Sequence, residues 1–217
     1  MKHRIYYISQ GATSQQHVQN ILHVCEKYAD SSQYDLSYVQ LRLKNVSYNE
    51  FLNIAQEALA ICARFKTDLI INDNVSVAEE INCAGIHVGK NDDTPTAIRK
   101  TIDKTKIIGG TANTLEDCLY LIEQGVDYIG LGPFQYTKTK KVLSPILGFD
   151  GCKSILKELK KRKHSIPIYA IGGIELEDVG KLIEIGFQGA AISSALTKKS
   201  FSKIEDAPTT IKNQHSI

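Results

Sequence analysis

Eight short apolar runs, separated by longer segments of helical period, constrain this chain more than any other feature. They lie at 5–8, 39–43, 69–71, 86–88, 107–108, 128–131, 168–171 and 190–192. None shows the strict alternation of a strand with one wet face, so each reads as a strand buried on both sides of a parallel sheet. Between them, "SYNEFLNIAQEALAICARF" opens on Ser47 with Glu50 three residues on, the spacing of a capping box. It then sets Phe51, Ile54, Ala55, Ala58, Leu59 and Cys62 on one helical face. "TLEDCLYLIEQG" repeats the device with Thr114 and Asp117 and stops at Gly125; "ELEDVGKLIEIG" stops at Gly186. Eight such strand-helix units in 217 residues predict a single-domain α/β fold, a (β/α)8 TIM barrel. A doubly wound open sheet is built from the same units, and periodicity does not separate the two. No Pro, Gly or Ser-rich linker divides the chain, so 1–199 reads as the barrel and 200–217 as a short final helix and polar tail.

Charge and cysteine usage narrow the partners. With 26 Lys+Arg against 24 Asp+Glu, the net charge of +2 is too balanced for a general nucleic-acid or membrane binder, so anion recognition should be local. The five cysteines are scattered and form no CxxC pair, as expected of reduced thiols. The start, "MKHRIYYISQG", has no apolar signal core, and no segment approaches the roughly 18 apolar residues of a membrane span. A cytoplasmic protein acting on small molecules is the expectation; self-association into a homo-oligomer stays open.

In a parallel barrel, chemistry collects where strands end, and the unusual polar residues fall there. "VQLRLKN" carries Gln40, Arg42 and Lys44 at alternate positions, so all three point the same way. Two cations at the end of a buried strand favour an anion site. "LIINDNVSVA" moves abruptly from apolar residues to Asn72 and Asp73, either of which would also serve as a plain helix N-cap. "GIHVGKNDDTP" adds Asp92 and Asp93 after the next strand, and carboxylates on neighbouring strand ends suit Mg²⁺. His87 in that strand reads as a packed residue. "PIYAIGGI" ends on Gly172 and Gly173, where missing side chains let backbone amides approach a ligand, and "GAAISSAL" on Ser193 and Ser194. Consecutive units ending in this way form the usual phosphate grip of such barrels. "GPFQYTKTKK", 132–141, reads alone as either a solvated basic turn or a phosphate cradle.

Taken in order, "VQLRLK", "IINDN", "GIHVGKND", "IIGGTANT", "YIGLGPFQYTKTKK", "AIGGI" and "GAAISSAL" resemble the thiamine-phosphate synthase family. The resemblance implies a barrel transferase that joins hydroxymethylpyrimidine diphosphate to a thiazole phosphate with release of diphosphate. It implies that Gln40, Arg42 and Lys44 hold the pyrimidine diphosphate, with Asn72 and Thr111 on the same substrate. Asp73 and Asp92 would hold Mg²⁺, with Asp92 favoured over Asp93 by its spacing to Gly89. Thr137, Thr139, Gly173, Ser193 and Ser194 would hold the thiazole phosphate. Arg42, Lys44 and Lys140 would neutralise the departing diphosphate. Leu43 stands where the family often has Glu. A related thiazole tautomerase would need a histidine near Asn113, and a noncatalytic thiamine sensor is the remaining reading.

Overall fold

The computed structural model describes residues 2–137 and 144–198. Its strands are β1 His3–Ile8, β2 Tyr34–Leu41, β3 Asp68–Asn72, β4 Gly85–Val88, β5 Ile107–Ala112, β6 Tyr128–Leu131, β7 Ile168–Ile171 and β8 Gly189–Ile192. Every neighbouring pair is parallel, and β1 also pairs with β8, through Ile5 opposite Ala190 and Tyr7 opposite Ile192. That last pairing closes the sheet into a barrel and excludes the open doubly wound alternative. Around it lie α1 Ser14–Tyr28, α2 Tyr48–Arg64, α3 Val75–Glu80, α4 Pro95–Ile98, α5 Leu115–Glu123, α6 Gly148–Lys161, α7 Val179–Glu184 and α8 Ser194–Thr197. The predicted tail, 200–217, lies outside the described residues.

Short polar caps start the helices. Thr13, Ser47, Asn74, Thr94 and Thr114 each accept a hydrogen bond from the backbone N–H three residues on, which satisfies one of the four donors a helix start leaves open. Thr114 and Asp117 form the full reciprocal box that their spacing predicts. Ser47 and Glu50 form only half of one, because the Glu50 carboxylate accepts instead from Ser14 Oγ on α1. Gly125 and Gly186 have φ of +73° and +115°, the left-handed turn expected after a helix. The segment read as one helix from Glu175 divides into a 3₁₀ turn, Leu176–Asp178, and the shorter α7.

The barrel wall separates two apolar layers. Outward residues such as Ile5, Val39, Leu69, Ile71, Ile86, Ile108, Ile129 and Ala190 pack against the helices. All five cysteines are buried in this outer layer. The helices answer with matched faces, Val18, Ile21, Val24 and Cys25 on α1 and Phe51, Ile54, Ala55, Ala58 and Cys62 on α2. Leu43 is buried here too, so it fills volume where the family often has an acid.

Inside the barrel the filling is aromatic. Tyr6 meets the rings of Tyr38, Tyr128 and Tyr169 edge-on at centroid distances of 5.4, 5.9 and 5.8 Å, the arrangement that the ring quadrupole favours. Such bulk needs relief opposite it. A Cβ on Gly109 would stand 2.1 Å from the Tyr128 ring, so β5 must be bare at that point. The strand runs on through Gly109 and Gly110 to Ala112, beyond the two apolar residues that announce it in the sequence. β2 likewise starts earlier than its apolar run, at Tyr34, and ends at Leu41.

Gly109→Ala is expected to lower the free energy of unfolding by about 1–3 kcal/mol through overpacking against Tyr128. Urea denaturation measures this, and an unchanged midpoint would contradict the close approach.

Candidate active site

The strands deliver their polar residues to one rim of the barrel. On β2, Gln40 points inward and its Nε2 donates to Tyr6 Oη at 2.6 Å. Arg42 follows just past the strand. Its backbone N–H donates to Ser9 Oγ at 3.0 Å, and Ser9 Oγ lies 2.8 Å from Nδ1 of His17. Burial holds the His17 imidazole below its ordinary pKa, and the Arg42 charge acts in the same direction. Among the described residues no carboxylate pairs with Arg42. The sequence reading missed this Ser9–His17 support; the only signal was two polar residues close after the first strand.

Lys44 forms an ion pair with Asp73, so it starts from a carboxylate partner and is not an open cation. Asp73 itself sits at φ +62°, the left-handed region, where a non-glycine residue is costly and the short polar side chain of Asp is among the best tolerated. Its N–H donates to His87 O at 2.9 Å, while Asn74 N–H donates to Asn72 O at 2.8 Å. Neither Asn72 nor Asp73 caps the next helix. Asn74 does, through a 3.0 Å bond from Val77 N–H, and this sets aside the plain-cap explanation of both. Asn72 ends β3 pointing into the barrel mouth, 7% exposed, and its Nδ2 is buried without a hydrogen-bond partner among the described residues.

Asp92 reaches the same place from the loop after β4. Its Oδ2 accepts from Gly89 N–H at 2.7 Å, which fixes the carboxylate. Although Asp92 is exposed, partial loss of water around its carboxylate raises its pKa, and the Asp73 carboxylate within hydrogen-bonding reach raises it further; Gly89 N–H and the Lys44 charge pull the other way. Asp93 is exposed, as Asp92 is, but makes no hydrogen bond or ion pair among the described residues. Of the two, Asp92 is the one tied to the end of β4, through Gly89 N–H. Among the described residues no three His, Cys, Asp or Glu side chains cluster for a metal. Two paired carboxylates fit a hard cation that takes its other ligands from water and phosphate oxygens, as Mg²⁺ does.

Across the mouth, Thr111 on β5 is buried with its Oγ1 2.9 Å from His87 Nε2. His87 Nδ1 lies 3.0 Å from Tyr128 Oη, so this histidine is packed inside the barrel as the sequence suggests. Asn113 Nδ2 donates to Gly132 O, and Asn113 Oδ1 accepts from Ser144 Oγ at 2.9 Å. It holds the β6 loop and supplies no acid or base, which disfavours the tautomerase reading.

That loop begins with a cis peptide at Gly132–Pro133. Phe134 and Gln135 N–H donate to Ile171 O and Gly172 O at 2.9 and 2.8 Å. Gly173, at φ +73°, is bare because a Cβ there would stand 2.6 Å from Tyr136 O. The room made by the glycine pair is thus taken up by the β6 loop, a packing role beyond the ligand approach that the sequence suggests. Thr137 is half-buried at the end of this stretch; Thr139 and Lys140 lie outside the described residues. After β8, Ser193 Oγ is buried with no hydrogen-bond partner among the described residues, and Ser194 is exposed at the first residue of α8. Asn72 Nδ2 and Ser193 Oγ are the kind of buried orphans that a ligand would satisfy.

Two clefts open on the surface. One of about 300 Å³ lies beside this rim, lined by Gly89, Asp92, Pro95, Thr111 and Tyr120. The other, about 380 Å³, lies at the opposite end of the barrel near Asp68, Asn82 and Lys106, where the Lys106 ammonium is already bonded to the carbonyls of Ile81 and Cys83. The paired carboxylates and two of the four buried orphans among the described residues, Asn72 Nδ2 and Ser193 Oγ, lie at the C-terminal rim; the other two orphans are the hydroxyls of Tyr7 and Tyr28.

Comparison with known proteins bears on the same rim. The profile of the family described as thiamine monophosphate synthase matches residues 5–196. The chain belongs to that family. The thiamine-phosphate synthase of Flavobacterium johnsoniae is 41% identical over 204 residues, covering 94% of this chain and 93% of that protein. That of Flavobacterium psychrophilum is 39% identical over 198 residues, covering 91% and 93%. Among solved structures, the thiamine phosphate pyrophosphorylase of Pyrococcus furiosus superposes with a TM-score of 0.74 at 23% identity, over 88% of this chain and 86% of that one, a likeness of fold. No helix of the described residues is long and apolar enough to cross a membrane.

The Lys44 ammonium is paired with Asp73, so without a further cation the second carboxylate, Asp92, faces like charge that opposes folding. Asp92→Asn, which keeps an acceptor for Gly89 N–H and adds a donor toward Asp73, is expected to raise the thermal midpoint at pH 7 in metal-free buffer. A lower midpoint would show that the pair is not repulsive.

Proposed function

We propose that this chain is a thiamine-phosphate synthase, condensing hydroxymethylpyrimidine diphosphate with a thiazole phosphate to give thiamine phosphate and diphosphate. The observation that carries the proposal is the meeting of Lys44, Asp73 and Asp92 at adjoining strand ends, in a chain of this family. Such a grouping suits a magnesium diphosphate better than a neutral ligand.

The chemistry asks for charge control and alignment. When the bond from the exocyclic pyrimidine carbon to the diphosphate oxygen breaks, the electron pair leaves with the diphosphate and the ring system delocalises the positive charge. The thiazole nitrogen then supplies its lone pair to that carbon. No side-chain nucleophile is needed, and what the residues must do is hold two anionic substrates in line and stabilise the leaving charge.

Arg42, positioned through Ser9 and with no carboxylate of its own, suits a bidentate grip on the diphosphate. Lys44 would pass from Asp73 to the diphosphate when substrate enters. Asp73 and Asp92 would hold Mg²⁺, which when bound neutralises charge on the leaving diphosphate. Asn72 Nδ2 donates to the pyrimidine substrate, and Gln40 and Thr111 face its ring. Thr137, Thr139, Gly173, Ser193 and Ser194 bind the thiazole phosphate, with Ser193 Oγ the group most in want of a partner. Lys140, outside the described residues, would help neutralise the departing diphosphate. We propose a cytoplasmic protein that requires no nucleic acid or membrane partner.

With Mg²⁺ and both phosphorylated substrates, the purified protein is expected to form thiamine phosphate, followed by chromatography of the product. Asp73→Ala is expected to lower kcat/KM by about 10- to 100-fold or more, as loss of a group supporting a metal does. Substrate binding with no product at any Mg²⁺ concentration would instead favour a sensor. Asn72→Ala, which removes a single donor, is expected to raise KM for the pyrimidine diphosphate about tenfold and to leave KM for the thiazole phosphate nearly unchanged.

A further inference from the structure

Strand β1 stands between β8 and β2 in the barrel, so the loop after it lies between the two rim segments on which the two substrate anions would rest. One neighbour is the end of β2, with Gln40, Arg42 and Lys44; the other is the segment after β8, with Ser193 and Ser194. Residues 9–12 of this loop are uncharged, yet they bond to both sides. Toward β2, Ser9 acts twice. Its N–H donates to Gln40 O at 2.9 Å, and its Oγ accepts from Arg42 N–H at 3.0 Å. The hydroxyl takes the place of the carbonyl that would accept from Arg42 if β1 continued past Ile8. The backbone is thereby held on either side of Leu41, which fixes where the Arg42 side chain leaves the strand. Ser9 is buried, and His17 Nδ1 on α1, 2.8 Å from its Oγ, holds the hydroxyl in turn.

Toward β8 the next residue takes over. Gln10 Nε2 donates to Thr197 Oγ1 at 2.7 Å, and Thr197 Oγ1 donates to Ser194 O at 3.1 Å. Leu196 N–H donates to Ser193 O at 3.2 Å, so the single turn of α8 carries this hold back to the two serines. The loop itself is pinned to α1. Asn20 Nδ2 donates to Gln10 O at 2.8 Å, and Ala12 N–H donates to Gln16 Oε1 at 2.7 Å. A Cβ on Gly11 would stand 2.8 Å from Gln16 Cβ and 2.9 Å from His17 Cδ2, so the loop lies against the first turn of α1 with no side chain between them. Four residues bonded in three directions make a stiff spacer.

We infer that Ser9 and Gln10 are positioning residues with divided roles: Ser9 sets Arg42 for the diphosphate, Gln10 sets the Ser193–Ser194 segment for the thiazole phosphate, and the loop they share fixes the spacing of the two anion sites. The inference rests on the proposed synthase activity and deepens it. That reaction needs the spacing, because the thiazole nitrogen must stand in line with the carbon that the diphosphate leaves, and each substrate is anchored by its phosphate end. A loop with no charge of its own can do this, since it acts on the backbone of the residues that carry the contacts.

The test measures, with Mg²⁺ present, KM for each substrate and the inhibition constant of the product diphosphate in wild type, Ser9→Ala, Gln10→Ala and Thr197→Val. Ser9→Ala leaves Arg42 N–H without its acceptor and is expected to raise KM for the pyrimidine diphosphate and the inhibition constant of diphosphate together, about tenfold. KM for the thiazole phosphate is expected to stay within about twofold in that variant. Gln10→Ala is expected to reverse the pattern, raising KM for the thiazole phosphate about fivefold and leaving that for the pyrimidine diphosphate within about twofold. Thr197→Val removes the other half of the same bond, so combining it with Gln10→Ala is expected to cost no more than the larger single loss. Gln10 is half-buried, so its arm of the test stands even where Ser9→Ala does not fold. KM values that rise equally for both substrates, or that do not change, would overturn the inference and leave the synthase assignment intact. A wild type that forms no product would overturn the assignment and the inference with it.

Discussion

Closure of the sheet between β1 and β8 is the interaction on which the rest depends. Once eight parallel strands form a ring, every strand is hydrogen-bonded on both sides, and all eight C-terminal ends emerge on one rim. Alternate side chains are driven into a space that neither helix nor solvent can relieve. This chain fills the space with tyrosines, and phenols bring hydroxyls that must find partners. The bare backbone at Gly109, the inward Gln40 and the packed His87 are all consequences of that filling.

The apolar runs were legible because both faces of each strand are covered, which writes a contiguous signal into the sequence. Closure was not legible, since it is a pairing between the first and last strands and leaves no local mark. The beginning of β2 was hidden by the polar Asp35 and Ser37, and the end of β5 by two glycines that read as loop. Caps were legible where a single residue does the work, as at Thr114, and only half so at Ser47, whose expected partner Glu50 turns to a neighbouring helix. At the rim, residue types and spacing pointed to Asp73 and Asp92, and the fold sets the two carboxylates side by side. They did not reveal the unpartnered amide of Asn72, the cap at Asn74 that frees it, or the Ser9 and His17 pair behind Arg42. Each of those depends on contacts between segments that the sequence does not place side by side.

The rim also gathers features that a fold optimised only for stability would avoid. Asp73 is in a left-handed conformation, Asp92 is pushed against it, and two buried polar atoms lack partners. These lie together at one end of the barrel wall. A closed barrel can support them because the burden falls on loops beyond the strands and leaves the ladder pairing untouched.

The five buried cysteines give the outer layer a use of its own. They sit on α1, α2, α5, α6 and just before β4, so together they sample much of the circumference between helices and wall. In the native state all five are buried, Cys83 at the lining of the cleft near Asp68 and Lys106, and the four helical thiols become open to an alkylating reagent when their helix lifts away from the wall. The protein thus carries built-in reporters of where its shell loosens first, readable by which thiol is modified earliest and without any change to its sequence.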